Sequence, residues 1–114
     1  MKSEFKKSTV YRFAGISHYE TGVSEVQNIL QKPTGELNAM MMDAQQFMNI
    51  RRMPFDIYIH VIEGKLETRI NEIPYFVGAG EFIIIPAHAL HTSQALEATK
   101  LLQLTIKSGY EEAL

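Results

Sequence analysis

The sequence predicts an all-β protein folded as one small barrel or jelly roll. Three observations carry that prediction. Short runs of β-branched and aromatic residues recur with turn signals between them at the spacing of a sandwich or barrel. No stretch repeats its apolar residues with the period of a long amphipathic helix. The chain has 114 residues, 46% hydrophobic and 21% charged, which is enough for one core and too apolar for disorder.

Residues 1–8 are polar and basic apart from Phe5, and read as a loose, frayed arm, with docking of Phe5 on a partner subunit as the alternative. Val10, Tyr11 and Phe13 predict a first short strand. Residues 15–22 are rich in turn formers and contain His18, which needs no special role. Residues 24–31 alternate imperfectly, with Val26 as the clearest inward residue. Lys32-Pro33-Thr34-Gly35 is a turn, since Pro second and Gly fourth suit type I. Residues 37–43 then carry Leu37, Ala39 and Met41 on one face and Asn38, Met40 and Met42 on the other. Methionines tolerate a helix, but a short segment between turns selects a strand. Residues 43–46 make a turn, and residues 47–51 a short strand.

Residues 55–62 are apolar on both faces, with Ile57, Ile59 and Val61 on one and Tyr58, His60 and Ile62 on the other. Such a strand lies inside a sandwich or carries a subunit contact. After Gly64, Leu66, Thr68 and Ile70 alternate with Glu67 and Arg69 in a half-exposed strand. Asn71-Glu72 makes a two-residue hairpin turn, although Glu72 stands where Gly would be easier, and residues 73–77 return. Gly78-Ala79-Gly80-Glu81 hands over to a strand at 82–85. Pro86 ends that strand, because its ring has no N–H for the next rung. The last strand spans 99–106, and Ser108-Gly109 releases a polar tail. The organisation expected is an arm with accessory strands at 1–34, a barrel domain at 35–107 and a tail at 108–114.

Composition excludes several functions. A net charge of −2 offers no basic footprint for nucleic acid. The absence of cysteine removes disulfides, thiolate-held zinc, iron–sulfur clusters and thiol catalysis together. The N-terminal residues carry charge with no apolar segment behind them, and the longest apolar run, 82–85, is too short to cross a bilayer. A soluble cytoplasmic protein with no membrane partner is the expectation. There is no phosphate-binding glycine loop and no Gly-x-Ser-x-Gly elbow, and in His91-Thr92-Ser93 adjacent strand positions point apart.

Gly80, Pro86 and His91 stand in the register Gly-x5-Pro-x4-His, and Val61-Ile62-Glu63-Gly64-Lys65-Leu66 precedes them at a matching distance. The two stretches together resemble the paired motifs of the cupin superfamily, and the chain from about 35 to 106 looks like a small single-domain bacterial cupin of type 2. The resemblance implies a double-stranded β-helix, a jelly-roll barrel commonly found as a homodimer. Cupins include dioxygenases, isomerases, decarboxylases, sugar-binding and sensory domains, so the fold does not name an activity. The first motif is degraded here. Its glutamate slot falls on Ile57 and its two histidine slots near Arg51 and Met53, leaving His91 as the one expected metal ligand. His88 replaces the second motif's other glycine, and Ala95 its asparagine.

Two classes of function follow from the resemblance. The leading expectation is a metal-free, homodimeric binding module without cofactor, whose barrel takes a small polar or anionic ligand at Arg51, Met53, Ile57, Ile59 and His91. A guanidinium inside a barrel needs an acceptor, and Asp56, Glu81 or a ligand carboxylate would serve. The competing expectation is a metal-dependent enzyme, an oxygenase or isomerase, holding a divalent transition metal through His91 with His60 or His88. Strand alternation opposes His60, which points away from the metal slot unless a bulge intervenes. A structural or interaction domain without ligand is the third. Met40, Met42, Met48 and Met53 read as core, or as an adaptable pocket wall. His60 reads as a structural or interface histidine, whose protonation would weaken a subunit contact.

Overall fold

A computed structural model describes residues 5–13, 22 and 24–107, without the side chains of residues 49 and 50. Among these residues there are nine strands and no α-helix. In chain order they are β1 (Ser24–Lys32), β2 (Gly35–Met42), β3 (Phe47–Arg52), β4 (Asp56–Glu63), β5 (Lys65–Ile70), β6 (Ile73–Gly78), β7 (Phe82–Ile85), β8 (Leu90–Ala95) and β9 (Thr99–Ile106). They form a five-stranded sheet, β1-β2-β9-β4-β7, facing a four-stranded sheet, β3-β8-β5-β6. Every pairing is antiparallel, and the two sheets close on one another as a jelly roll.

The turns follow from their residues. Asn71 and Glu72 both take positive φ, 50° and 72°, the requirement of the two-residue turn that joins β5 to β6. Glu81 N donates to Gly78 O at 2.9 Å across the turn before β7, where Gly80 has φ 82°. Pro86 ends β7 at Ile85. His88 also has positive φ, 70°, so the position filled by glycine in the motif keeps glycine's backbone shape.

Alternation on β4 fills the core: Ile57, Ile59 and Val61 are buried, at 4%, 1% and 0% exposure, while Tyr58, His60 and Ile62 face outward. Register carries the inner face across the sheet, pairing Val61 with Leu101 and Ile57 with both Thr105 and Ile85. The opposing sheet supplies Leu66, Ile70, Val77 and Ala95 to the same cluster. Each Val, Leu, Ile or Met side chain buried there contributes about 1.5–3 kcal/mol.

Two expectations fail at the N-terminal side. Val10, Tyr11 and Phe13 form no strand; Val10 is 95% exposed, and Tyr11 instead meets Phe5 edge-on with ring centroids 4.9 Å apart. Propensity alone does not make a strand of a segment that pairs with no sheet edge. Val26 does share a face with Met40 by register, yet remains 39% exposed on the edge strand β1. Asn28 is buried instead. His18 and the tail after residue 107 lie outside the described residues.

Candidate functional site

A pocket opens between the sheets, lined by Arg51 and Met48 of β3, His91 and Ser93 of β8, Ile57 and Ile59 of β4, and Gln103 of β9. Its position follows from register. Arg51 stands directly opposite His91, and Met48 opposite Ser93. Between these pairs β3 spends one residue more than β8, a bulge that turns both Met48 and Arg51 to the inner face despite their odd separation. Thr92 Oγ1 donates to Met48 O at 2.5 Å, tying β8 to β3 beside the bulge.

The pocket floor is a satisfied polar pair. Thr68 and Ser93, 0% and 1% exposed, bond hydroxyl to hydroxyl at 2.9 Å. The walls, Ile57 and Ile59, are apolar. At the mouth, His91 Nδ1 lies 3.3 Å from Ala89 O; a carbonyl can only accept, so Nδ1 carries the hydrogen and Nε2 is left as the working nitrogen. Arg51 is exposed at the rim. The acceptors anticipated for it are otherwise used: Asp56 Oδ1 accepts from Ala87 N at 2.8 Å, and Glu81 Oε1 from Gly78 N at 2.7 Å. No carboxylate among the described residues forms an ion pair with Arg51. The enclosed space is about 20 Å³, room for one or two waters, so a larger molecule must lie across the mouth or displace Met48.

Of the five residues named from sequence, Arg51, Ile57, Ile59 and His91 meet in this pocket. Met53 follows β3 and packs against the core cluster, its carbonyl accepting from His88 N at 2.7 Å, and does not line the pocket. The two other histidines are not brought to His91. His60 lies on the outer face of β4, where its Nδ1 is 3.1 Å from Tyr58 Oη, and Tyr58 in turn stacks on Phe82 at 5.0 Å between centroids. His88 is exposed in the turn after Pro86. No bulge reverses β4 between Ile57 and His60, since the two keep step with Ile85 and Phe82.

The donor set does not fit a transition metal. It offers one imidazole, a hydroxyl, a carboxamide and a cation, and no group of three His, Asp or Glu forms among the described residues. A guanidinium beside His91 repels a dication and attracts an anion. Gln103 escaped the sequence reading. Its signal was available: in Thr99, Leu101, Gln103 and Thr105 the alternation of the last strand carries polar residues onto the core face.

No family model and no curated protein matches the sequence. Solved structures match the fold. A conserved Streptococcus pyogenes protein superposes with a TM-score of 0.87 at 21% identity, covering 96% of this chain and 97% of its own. A cupin superfamily protein from Desulfitobacterium hafniense gives 0.83 at 12% identity, over 90% of this chain and 94% of that one. A cupin 2 conserved barrel domain protein from Leptotrichia buccalis gives 0.81 at 22% identity, over 85% of this chain and 47% of that one. At such identities the likeness is one of fold: the chain is a small cupin-fold domain.

Proposed function

We propose that this cupin-fold domain is a metal-free binding module that holds a small polar or anionic molecule at Arg51 and His91. The observation that carries the reading is the cross-strand Arg51–His91 pair, a fixed cation beside an imidazole at an apolar pocket, with no protein carboxylate paired to the cation among the described residues. A concave site with apolar walls and a few convergent polar groups is the usual form of a ligand pocket. Arg51 supplies the charge and a planar donor fork; His91 supplies one directed hydrogen bond. The alternative of a metal-dependent oxygenase or isomerase lacks support from the donor set, because His60 and His88 stay away from His91.

The test is an NMR titration with benzoate against neutral benzamide. Saturable shifts of His91 with benzoate alone, weakened about tenfold or more in Arg51→Ala, are expected for one lost charge-assisted pair. Equal response to the two compounds, or no dependence on Arg51, contradicts the reading.

The module works as a homodimer in this proposal. The outer face of the five-stranded sheet is the supporting feature: Leu30, Phe82, Ile84 and Ile106 are 45%, 58%, 56% and 47% exposed there, around the half-buried Tyr58–His60 pair. Each such side chain contributes about 1.5–3 kcal/mol on burial before association entropy is subtracted. Light scattering should return twice 13.0 kDa. A monomer at high concentration would remove the dimer and leave the pocket reading intact.

A further inference from the structure

The inner face of the five-stranded sheet carries a row of three carboxamides leading away from the pocket. Register aligns Asn28 of β1 with Asn38 of β2, and Asn38 with Gln103 of β9. The next residue in the row is Ile59, a pocket wall. Neighbouring strands stand about 4.8 Å apart, so the row runs for about 10 Å from the pocket toward the sheet edge.

Much of its hydrogen-bonding capacity is unspent. Asn28 Nδ2 donates to Asn38 Oδ1 at 2.9 Å and to Leu30 O at 3.4 Å, which fixes the orientation of both amides. Asn28 Oδ1 is then buried with no donor at all. Asn38 Nδ2 and the whole Gln103 amide have no hydrogen-bond partner among the described residues. A carboxamide donates and accepts, so it is matched by a group that does both, a hydroxyl. His91 Nε2 adds another acceptor in the same place, because Nδ1 is held by Ala89 O. A purely structural amide ladder would bond to itself along its length. This one stops at Asn38 and leaves its pocket end open.

Resting on the anion reading of the pocket, we infer that the occupant is a polyhydroxylated monocarboxylate. Its carboxylate sits on Arg51, and its hydroxyls bond His91 Nε2, Gln103 and Asn38 as the molecule lies across the mouth. Asn28 positions Asn38 through the bond between its Nδ2 and Asn38 Oδ1. The small enclosed volume agrees with a ligand extended along the row rather than one swallowed whole.

Three six-carbon probes separate the features: D-gluconate has the acid and the hydroxyls, hexanoate the acid alone, and sorbitol the hydroxyls alone. Calorimetric titration of the full chain should find gluconate bound at least about tenfold tighter than either, one good hydrogen-bonded group being worth that much. Gln103→Met, which keeps size and removes the amide, should weaken gluconate about tenfold with hexanoate unchanged. Asn38→Ala should act likewise, and an unchanged melting temperature of the Gln103 variant guards against misfolding. Hexanoate bound through Arg51 as tightly as gluconate overturns this inference and leaves the anion pocket standing. Failure of both acids to bind overturns the two together.

Discussion

The two halves of the barrel are built from the same strands to different rules. In the half around the Gly64 turn, Met42, Val61, Leu66, Ala95 and Thr99 are 0% exposed, and the one polar side chain among them is fully employed. Thr99 Oγ1 accepts from Lys65 N at 3.1 Å and donates to Glu97 O at 2.8 Å. In the half that holds the Asn71–Glu72 turn and Pro86, the inner face carries Arg51, His91 and Gln103, with polar capacity left over. The contrast separates duties: stability resides where packing is complete, and recognition where it is not.

The largest effect expected is in the packed half. A Cβ on Gly64 would strike the Ala98 carbonyl oxygen and come within 2.5 Å of Thr99 Oγ1, at a φ of +93°. Gly64→Ala should therefore cost about 3–5 kcal/mol in chemical denaturation, strain and overpacking together. Gly80 has positive φ as well but nothing within 4 Å of its Cβ position, so Gly80→Val should cost only the strain, about 1–3 kcal/mol. Equal losses at the two glycines would break the distinction between crowded and open turns.

Next comes the pocket floor, where the halves meet. Ser93→Ala leaves the buried Thr68 hydroxyl unpaired and should cost about 1–3 kcal/mol. Adding Thr68→Val should recover part of that loss, since an apolar pair is cheaper than one stranded hydroxyl. A strictly additive double variant would mean that the hydroxyls do not depend on each other.

Arg51→Ala should change stability by less than about 0.5 kcal/mol, because the side chain is exposed and unpaired to any described carboxylate. Its effect should appear in carboxylate binding alone. A large loss of stability would make Arg51 a structural residue and move it out of the recognition half. A small effect of opposite sign is expected at His88→Gly. Relief of the left-handed backbone, about 1–2 kcal/mol, is offset by the greater freedom of glycine in the unfolded chain, about 0.4–1 kcal/mol. The variant should be slightly more stable; a clear loss would show that the His88 side chain does something its backbone does not.

The strands and turns of both halves were legible in the sequence, and the contents of the pocket only partly. Alternation in 57–61 and the punctuation by Gly64, Asn71, Gly80 and Pro86 express local rules, and local rules suffice for strands and turns. Arg51 and His91 were legible through their motif register. The bulge that turns Met48 inward beside Arg51 was not, because it is a property of β3 paired with β8 and leaves no mark on β3 alone. The amide row was half hidden for the same reason: Asn28 and Asn38 face each other across one hairpin, but Gln103 is distant in the chain and joins them only through strand order. Val10 to Phe13 had strand-forming side chains and no partner, so propensity misled.

Native mass spectrometry of the protein as purified, and again after addition of benzoate, tests the metal-free anion pocket most directly. The account predicts one acid bound per subunit in the wild type, a much lower occupancy in Arg51→Ala, and no stoichiometric transition metal in either. Near-stoichiometric iron, zinc, nickel or manganese that disappears in His91→Ala would contradict it.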